Sequence, residues 1–157
     1  LWVDLFILDK LPEGKLASEM TRFIHKAIYG LAMGHRHDLD YSRYSLLHKI
    51  FVGGLATAGK LIPLKWIISM QKWAALKDRK SKGSRWYYSN YQPDYLYVTL
   101  EDDWCTKTED APFEDTQLMI PKGYHQVLTE VYGDYMQLPP EDKRVPTHSS
   151  QQIRVFD

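Results

Sequence analysis

An aspartate stands in the middle of an oily run at the start of the chain, Leu1-Trp2-Val3-Asp4-Leu5-Phe6-Ile7-Leu8-Asp9. An ionised carboxylate among such neighbours is costly unless it is paired or binds a cation. Asp4 therefore has two readings: a metal-side carboxylate, or a structural one that caps a loop or pairs with an arginine. Asp9 closes the run just before a turn, where an aspartate ordinarily bonds to the local backbone.

A second constellation lies near the other end, Tyr132-Gly133-Asp134-Tyr135-Met136-Gln137-Leu138-Pro139-Pro140-Glu141-Asp142-Lys143-Arg144. Here a helix ends at Gly133, a residue suited to the left-handed backbone of a helix end. Asp134 and the phenols of Tyr132 and Tyr135 can bind a polar ligand, and the rings can stack on a base or cover a cationic head group. The same residues would equally make a well-packed turn with a solvated basic pair.

Basic residues Lys77, Arg79, Lys80, Lys82 and Arg85 lie between Trp73 and Trp86. They read as a solvated helix end or as a contact for anionic lipid head groups, since Trp and Lys together suit a membrane interface. The six histidines are scattered. His35 and His37 stand near Asp38 and Asp40, but the spacing fits no zinc motif. No nucleophile elbow, phosphate-binding glycine loop or dinucleotide fingerprint is present.

The elements that must position these groups follow from periodicity. Leu1 to Asp9 predicts a strand buried on both faces, and Leu11-Pro12-Glu13-Gly14 a turn. Leu16, Met20, Phe23, Ile24, Ala27, Ile28 and Leu31 recur at helical spacing up to a stop at Gly34. A second helix, capped by Ser42, carries Leu47, Ile50, Phe51, Gly54, Leu55 and Ala58 inward. Its Gly53-Gly54 pair costs roughly 1 kcal/mol per residue relative to Ala, acceptable for a close backbone approach or a kink. Pro63 opens a third helix with Trp66, Ile67, Met70, Trp73 and Ala74, which fails in the basic run around Gly83.

Beyond it Trp86, Tyr87, Tyr88, Tyr91, Tyr95 and Tyr97 crowd together, and Tyr95 to Leu100 is rich in strand formers. Asp102 to Ala111 reads as an acidic loop and Phe113 to Ile120 as a short extended segment. Gly123 to Tyr132 reads as a short helix with Tyr124, Val127, Leu128 and Val131 inward. The proline-rich tail from Leu138 is expected to be irregular.

At 157 residues the chain is long enough for one domain with a real core. Lys plus Arg and Asp plus Glu both number 20, a balance that argues against a broad basic face for nucleic acid. A lone Cys105 excludes an internal disulfide and fits a reducing compartment. No secretory signal is visible, and the apolar region from Ile50 to Met70 is interrupted by Lys60 and Lys65. The chain begins inside a strand-like run without Met, as though cut from a longer polypeptide.

The first run, from Leu1-Trp2-Val3-Asp4 to Leu11-Pro12, resembles the middle motif of the LicD family of phosphorylcholine transferases. Ile120-Pro121-Lys122-Gly123-Tyr124, Leu128, Tyr132-Gly133-Asp134-Tyr135-Met136, Leu138-Pro139-Pro140, Lys143-Arg144 and His148 resemble its C-terminal motif, in the same order. The resemblance covers the two ends and implies an α+β fold, the C-terminal part of a nucleotidyltransferase-like domain. That fold would comprise one buried strand near the N-terminus, a mostly helical body, short strands and an irregular C-terminal tail.

It further implies transfer of phosphorylcholine, or a related phospho-alditol group, from CDP-choline or a similar donor to a cell-surface glycan. The acceptor would be a teichoic acid or lipopolysaccharide precursor, in some cases lipid-linked. A divalent metal, Mg or Mn, would assist the displacement at phosphorus. Asp4 matches the third metal carboxylate of that fold, which favours its metal-side, catalytic reading. The other two belong to an upstream strand that this chain lacks, so residues 1–157 form one domain expected to be inactive alone. Tyr132, Asp134, Tyr135, Lys143, Arg144 and His148 match the C-terminal motif and would bind substrate, or lock the C-terminal lobe onto the core. The implied location is cytoplasmic, at the inner face of the membrane, with no nucleic-acid partner. The alternative is a non-catalytic helical interaction or membrane-docking module.

Overall fold

A computed structural model describes residues 6–36, 45–90, 93–138, 140–141 and 144. The architecture is α+β. Strand β1 (Leu8–Lys10) leads through the Leu11–Gly14 turn into α1 (Lys15–Met33), followed by α2 (Leu46–Lys60) and α3 (Leu64–Leu76). Strand β2 (Arg85–Tyr88), a 3-10 turn (Pro93–Tyr97) and β3 (Thr99–Glu101) come next. The short helix α4 (Asp102–Thr106), the hairpin β4 (Thr108–Phe113) and β5 (Thr116–Pro121), and α5 (Tyr124–Tyr132) complete the described chain.

The main sheet is antiparallel with order β1-β2-β3, register Asp9↔Tyr87 and Trp86↔Leu100. β1 is thus an edge strand with only half-buried residues, and Phe6 and Ile7 just before it are 45% and 53% exposed. The expected strand buried on both faces is corrected over these residues: with a neighbour on one side only, the run keeps an open flank.

α1 forms where expected, but only part of its expected stripe is covered: Ile28 lies in the core with Ile24 and Leu31 packed against it. Its buried residues include Ser18, Thr21, Arg22, His25, Ile28 and Met33, whereas Leu16, Met20 and Phe23 are 82%, 54% and 56% exposed. The polar side can go inward because each group finds a partner. Ser18 Oγ donates to the carbonyls of Pro12 and Gly14, and Thr21 Oγ1 donates to Asp78. Arg22 donates to the Leu96 carbonyl at 3.0 Å and to Thr99 Oγ1 at 3.0 Å.

α2 and α3 each pack on α1. The α1–α2 seam is made of small residues. A Cβ on Gly59 would lie 1.9 Å from the Leu31 carbonyl oxygen, and one on Gly34 2.2 Å from that of Ala56. Gly53 and Gly54 have nothing within 4 Å, so the expected close approach belongs to the other glycines. α2 also turns its expected core stripe outward, burying Ala56 and Gly59 while Leu47 and Ile50 stay exposed. In α3 Ile67 and Ala74 are buried as expected, but Trp66 and Trp73 are not. The Ser42 cap lies outside the described residues, and Ser45 occupies the N-cap position without a side-chain cap bond.

Two further expectations change. The acidic stretch expected as a loop is α4 followed by β4, and β4–β5 is a hairpin with the two-residue loop Glu114-Asp115, Glu114 taking φ 53°. A positive φ at that corner suits the twist of a tight hairpin even without the usual Asn-Gly. Tyr95 and Leu96 lie in the 3-10 turn rather than in a strand.

Candidate functional site

The alternation of β2 sorts its aromatic residues onto two faces. Tyr87 points into the core beside Leu11 and Leu96 and is fully buried. Tyr88 points the opposite way and meets Phe6 edge to face, centroids 5.7 Å apart at 72°, and Tyr95 at 6.5 Å and 78°. Such T-shaped contacts are the favoured geometry of ring pairs. One side of α5 closes the space, and Phe6, Tyr88, Tyr95, Val127, Leu128, Val131 and Tyr132 line a cleft of about 140 Å³.

This cleft joins the two ends of the described chain. Phe6 belongs to the run that carries Asp4, and Tyr132 to the C-terminal constellation. Burial raises the Tyr88 phenol above its ordinary 10.0, helped by neighbouring Cys105, Tyr132 and Tyr95. The lining is therefore neutral and rich in π-faces, the surroundings a desolvated organic cation prefers.

α5 is aimed by glycines at both ends. Gly123 is buried, and a Cβ there would lie 2.5 Å from the Trp104 Cα, so only glycine lets α5 start so close to α4. Gly133 ends the helix at φ 71°, as its position implied. The constellation then divides. Tyr132, 64% exposed, flanks the cleft, whereas Tyr135 folds back so that its hydroxyl pairs with His125 Nδ1 at 2.7 Å. Asp134 and Arg144 are exposed and do not line the cleft. Asp4, Lys143 and His148 lie outside the described residues, as do His37, Asp38 and Asp40.

A second polar cluster gave no signal in the sequence, because its members are far apart along the chain. His25 and Tyr87 are buried and share a 2.8 Å bond between Nε2 and the phenol. Gln71 reaches His25 Nδ1 at 2.9 Å and donates to the Ser89 carbonyl at 2.6 Å. Ser89 Oγ donates to Asp9, so Asp9 ties β1 to the end of β2 rather than serving a turn. Burial lowers the His25 pKa against the opposing pull of its Gln71 bond and nearby Asp9. It is a neutral core histidine, held by partners on both ring nitrogens.

Asp102 accepts from Lys10 at 2.5 Å and from the Trp86 indole at 2.7 Å, and the Lys10 bond above all holds its pKa low. Trp86 is therefore tied to Asp102, with the Lys10 ammonium over its ring at 4.2 Å. Lys77 bonds to Thr21 and Asp78, while Arg79, Lys80 and Lys82 remain exposed. His35 bonds to the Gly59 and Ile62 carbonyls at the end of α2. Among the described residues no three of His, Cys, Asp or Glu stand together as a donor set for a metal ion. Burial raises the Cys105 thiol above its ordinary 9.0, the mark of an unreactive cysteine.

No family model matches the chain, and no solved structure matches it. A curated relative does. Over 36 residues the chain is 53% identical to lipopolysaccharide cholinephosphotransferase LicD of Haemophilus influenzae. That stretch is 23% of this chain and 14% of LicD, well under two thirds of the relative's length. The likeness to LicD is confined to that short stretch.

Proposed function

We propose that this chain takes part in transferring phosphorylcholine, or a related phospho-alditol group, from a CDP-linked donor to a glycan such as a lipopolysaccharide or teichoic acid precursor. The observation that carries the reading is the aromatic cleft. Phe6, Tyr88, Tyr95 and Tyr132 enclose a small, uncharged space beside the motif residues, and rings of this kind recognise quaternary ammonium groups. The short identity to a cholinephosphotransferase points to the same chemistry.

In the proposed reaction an acceptor hydroxyl attacks the phosphorus that bears choline, the bond to CMP breaks, and CMP leaves. The cleft residues hold the trimethylammonium end and so orient that phosphorus. Arg144, with Lys143 and His148, would offer positive charge to the phosphates, Asp134 would accept from donor or acceptor hydroxyls, and Tyr135 would keep the turn in place. Asp4 would be a catalytic metal ligand; a divalent ion, Mg or Mn, neutralises diphosphate charge when bound.

The test uses the full-length polypeptide with CDP-choline and CDP-ethanolamine. Tyr132 is exposed, so Tyr132→Leu leaves the fold intact. It should weaken CDP-choline binding about tenfold, corresponding to about 1.4 kcal/mol, and barely change CDP-ethanolamine. Equal losses for both donors would remove the choline from this cleft. Asp4→Asn should abolish turnover, and wild-type rates in that variant would refute the role of Asp4.

A further inference from the structure

We infer that α2, α3 and the corner between them form a surface that docks onto an anionic membrane leaflet. Both helices spend their small or few core residues on α1: Ala56 and Gly59 in α2, Ile67 and Ala74 in α3. Large apolar side chains point elsewhere. Leu47 is 80% exposed, Ile50 67%, Leu61 86%, Trp66 61%, Ile68 59% and Trp73 60%. So many exposed large apolar groups on consecutive elements mark an interaction surface rather than ordinary scatter.

Charge selects the occupant. From Ser45 to Lys77 there is no Asp or Glu, although the chain holds 20 of them, and there are five lysines, at 49, 60, 65, 72 and 77. Lys49, Lys60, Lys65 and Lys72 are exposed among the apolar groups. Lysine is depleted from the cores of protein–protein interfaces, whereas lysine beside tryptophan suits the boundary of an anionic bilayer. Arg79, Lys80 and Lys82 extend the positive margin just beyond α3.

Shape sets the depth. No single described helix is long and apolar enough to cross a membrane, and the chain direction turns by 119° between α2 and α3. A bent pair of this kind lies in the interface or dips into one leaflet, with its lysines reaching back to the head groups. A mostly apolar cleft of about 370 Å³ opens between α1 and α3, bordered by Leu64, Ile68 and Arg36. It offers an acyl chain a seat beside a fixed positive charge.

The surface stands whether or not the phosphorylcholine reading does, because its test involves no nucleotide. The full chain is mixed with vesicles of phosphatidylcholine alone or with phosphatidylglycerol added, then sedimented. Strong binding is expected only with phosphatidylglycerol, accompanied by a blue shift of tryptophan emission that Trp66→Ser diminishes. Replacing Lys60, Lys65 and Lys72 together by Gln, all exposed, should weaken partitioning on the order of a hundredfold. Binding that ignores lipid charge, or no binding to either vesicle, would overturn the inference. So would a stable dimer in ultracentrifugation that Trp66→Ser dissociates, since a second copy would then be the occupant.

Discussion

The two sides of α1 are built on opposite plans. Toward the sheet it sends polar side chains, Ser18, Thr21, Arg22 and His25, each bonded to a strand, a turn or the end of α3. Toward α2 it presents Gly30, against which the Leu55 side chain packs, and at its end Gly34, where backbone meets the Ala56 carbonyl of α2 directly. The sheet side is specified by directional bonds and by fully buried Tyr87 and Leu100. The helical side is specified by closeness, and its large apolar groups are left for an outside surface. Burial on this molecule is therefore not where hydrophobicity is highest.

That contrast can be broken most severely at the glycine seam. Gly59→Val should destabilise the chain by about 3 kcal/mol, because the clash is with Leu31 backbone that cannot rotate away. A fall in the urea midpoint with an unchanged slope is the expected signature. Next comes a pair of identical substitutions. Leu100→Ala, at a fully buried site, should cost between about 2 and 5 kcal/mol, whereas Leu47→Ala, 80% exposed, should stay within about 0.5 kcal/mol. Equal costs would mean that α2 is covered within the isolated chain.

The polar side can be probed by pH. The folded His25 pKa lies below its ordinary 6.5, so below that pH the unfolded chain binds a proton that the folded chain resists. Stability should fall as pH drops from 6.5 toward the folded value. Burial, with Asp9 and Asp78 nearby, raises the Tyr87 pKa far above 10.0. Above pH 10 the unfolded phenol ionises first, and stability should fall again. Thermal melting between these limits should show a plateau whose acid shoulder disappears in His25→Gln. One change should be a modest gain: Gly53→Ala, with open space around it, should raise stability by about 0.5 to 1 kcal/mol.

Much of the element order was legible. Apolar spacing placed α1, α2, α3 and α5, and Gly133 marked its helix end. The orientation of the helices was not, since periodicity reports where apolar groups lie and not whether anything covers them. Leu16, Met20 and Phe23 make a clear stripe that stays exposed, while the opposite face is buried by bonds no local pattern announces. The acidic segment before Ala111 misled because Glu and Asp seldom build strands, and Glu114-Asp115 is not a typical tight turn. Of the candidate site, Tyr132 was visible in the C-terminal motif and Tyr88 and Tyr95 in the aromatic crowding. Their meeting with Phe6 was not, because it depends on the register of β1 against β2 across about eighty residues of intervening chain.

The β4–β5 ribbon bears on how the protein could be handled. Apart from half-buried Ala111 and Ile120 its residues are exposed, and it is anchored at its root, where the Lys122 amide donates to the Lys107 carbonyl at 2.7 Å. A protrusion fastened at one end can be lengthened in steps of two residues, one per strand, without shifting anything beneath it. Its tip at Glu114-Asp115, which lines neither cleft, is accordingly a natural place for a fluorophore or an affinity tag.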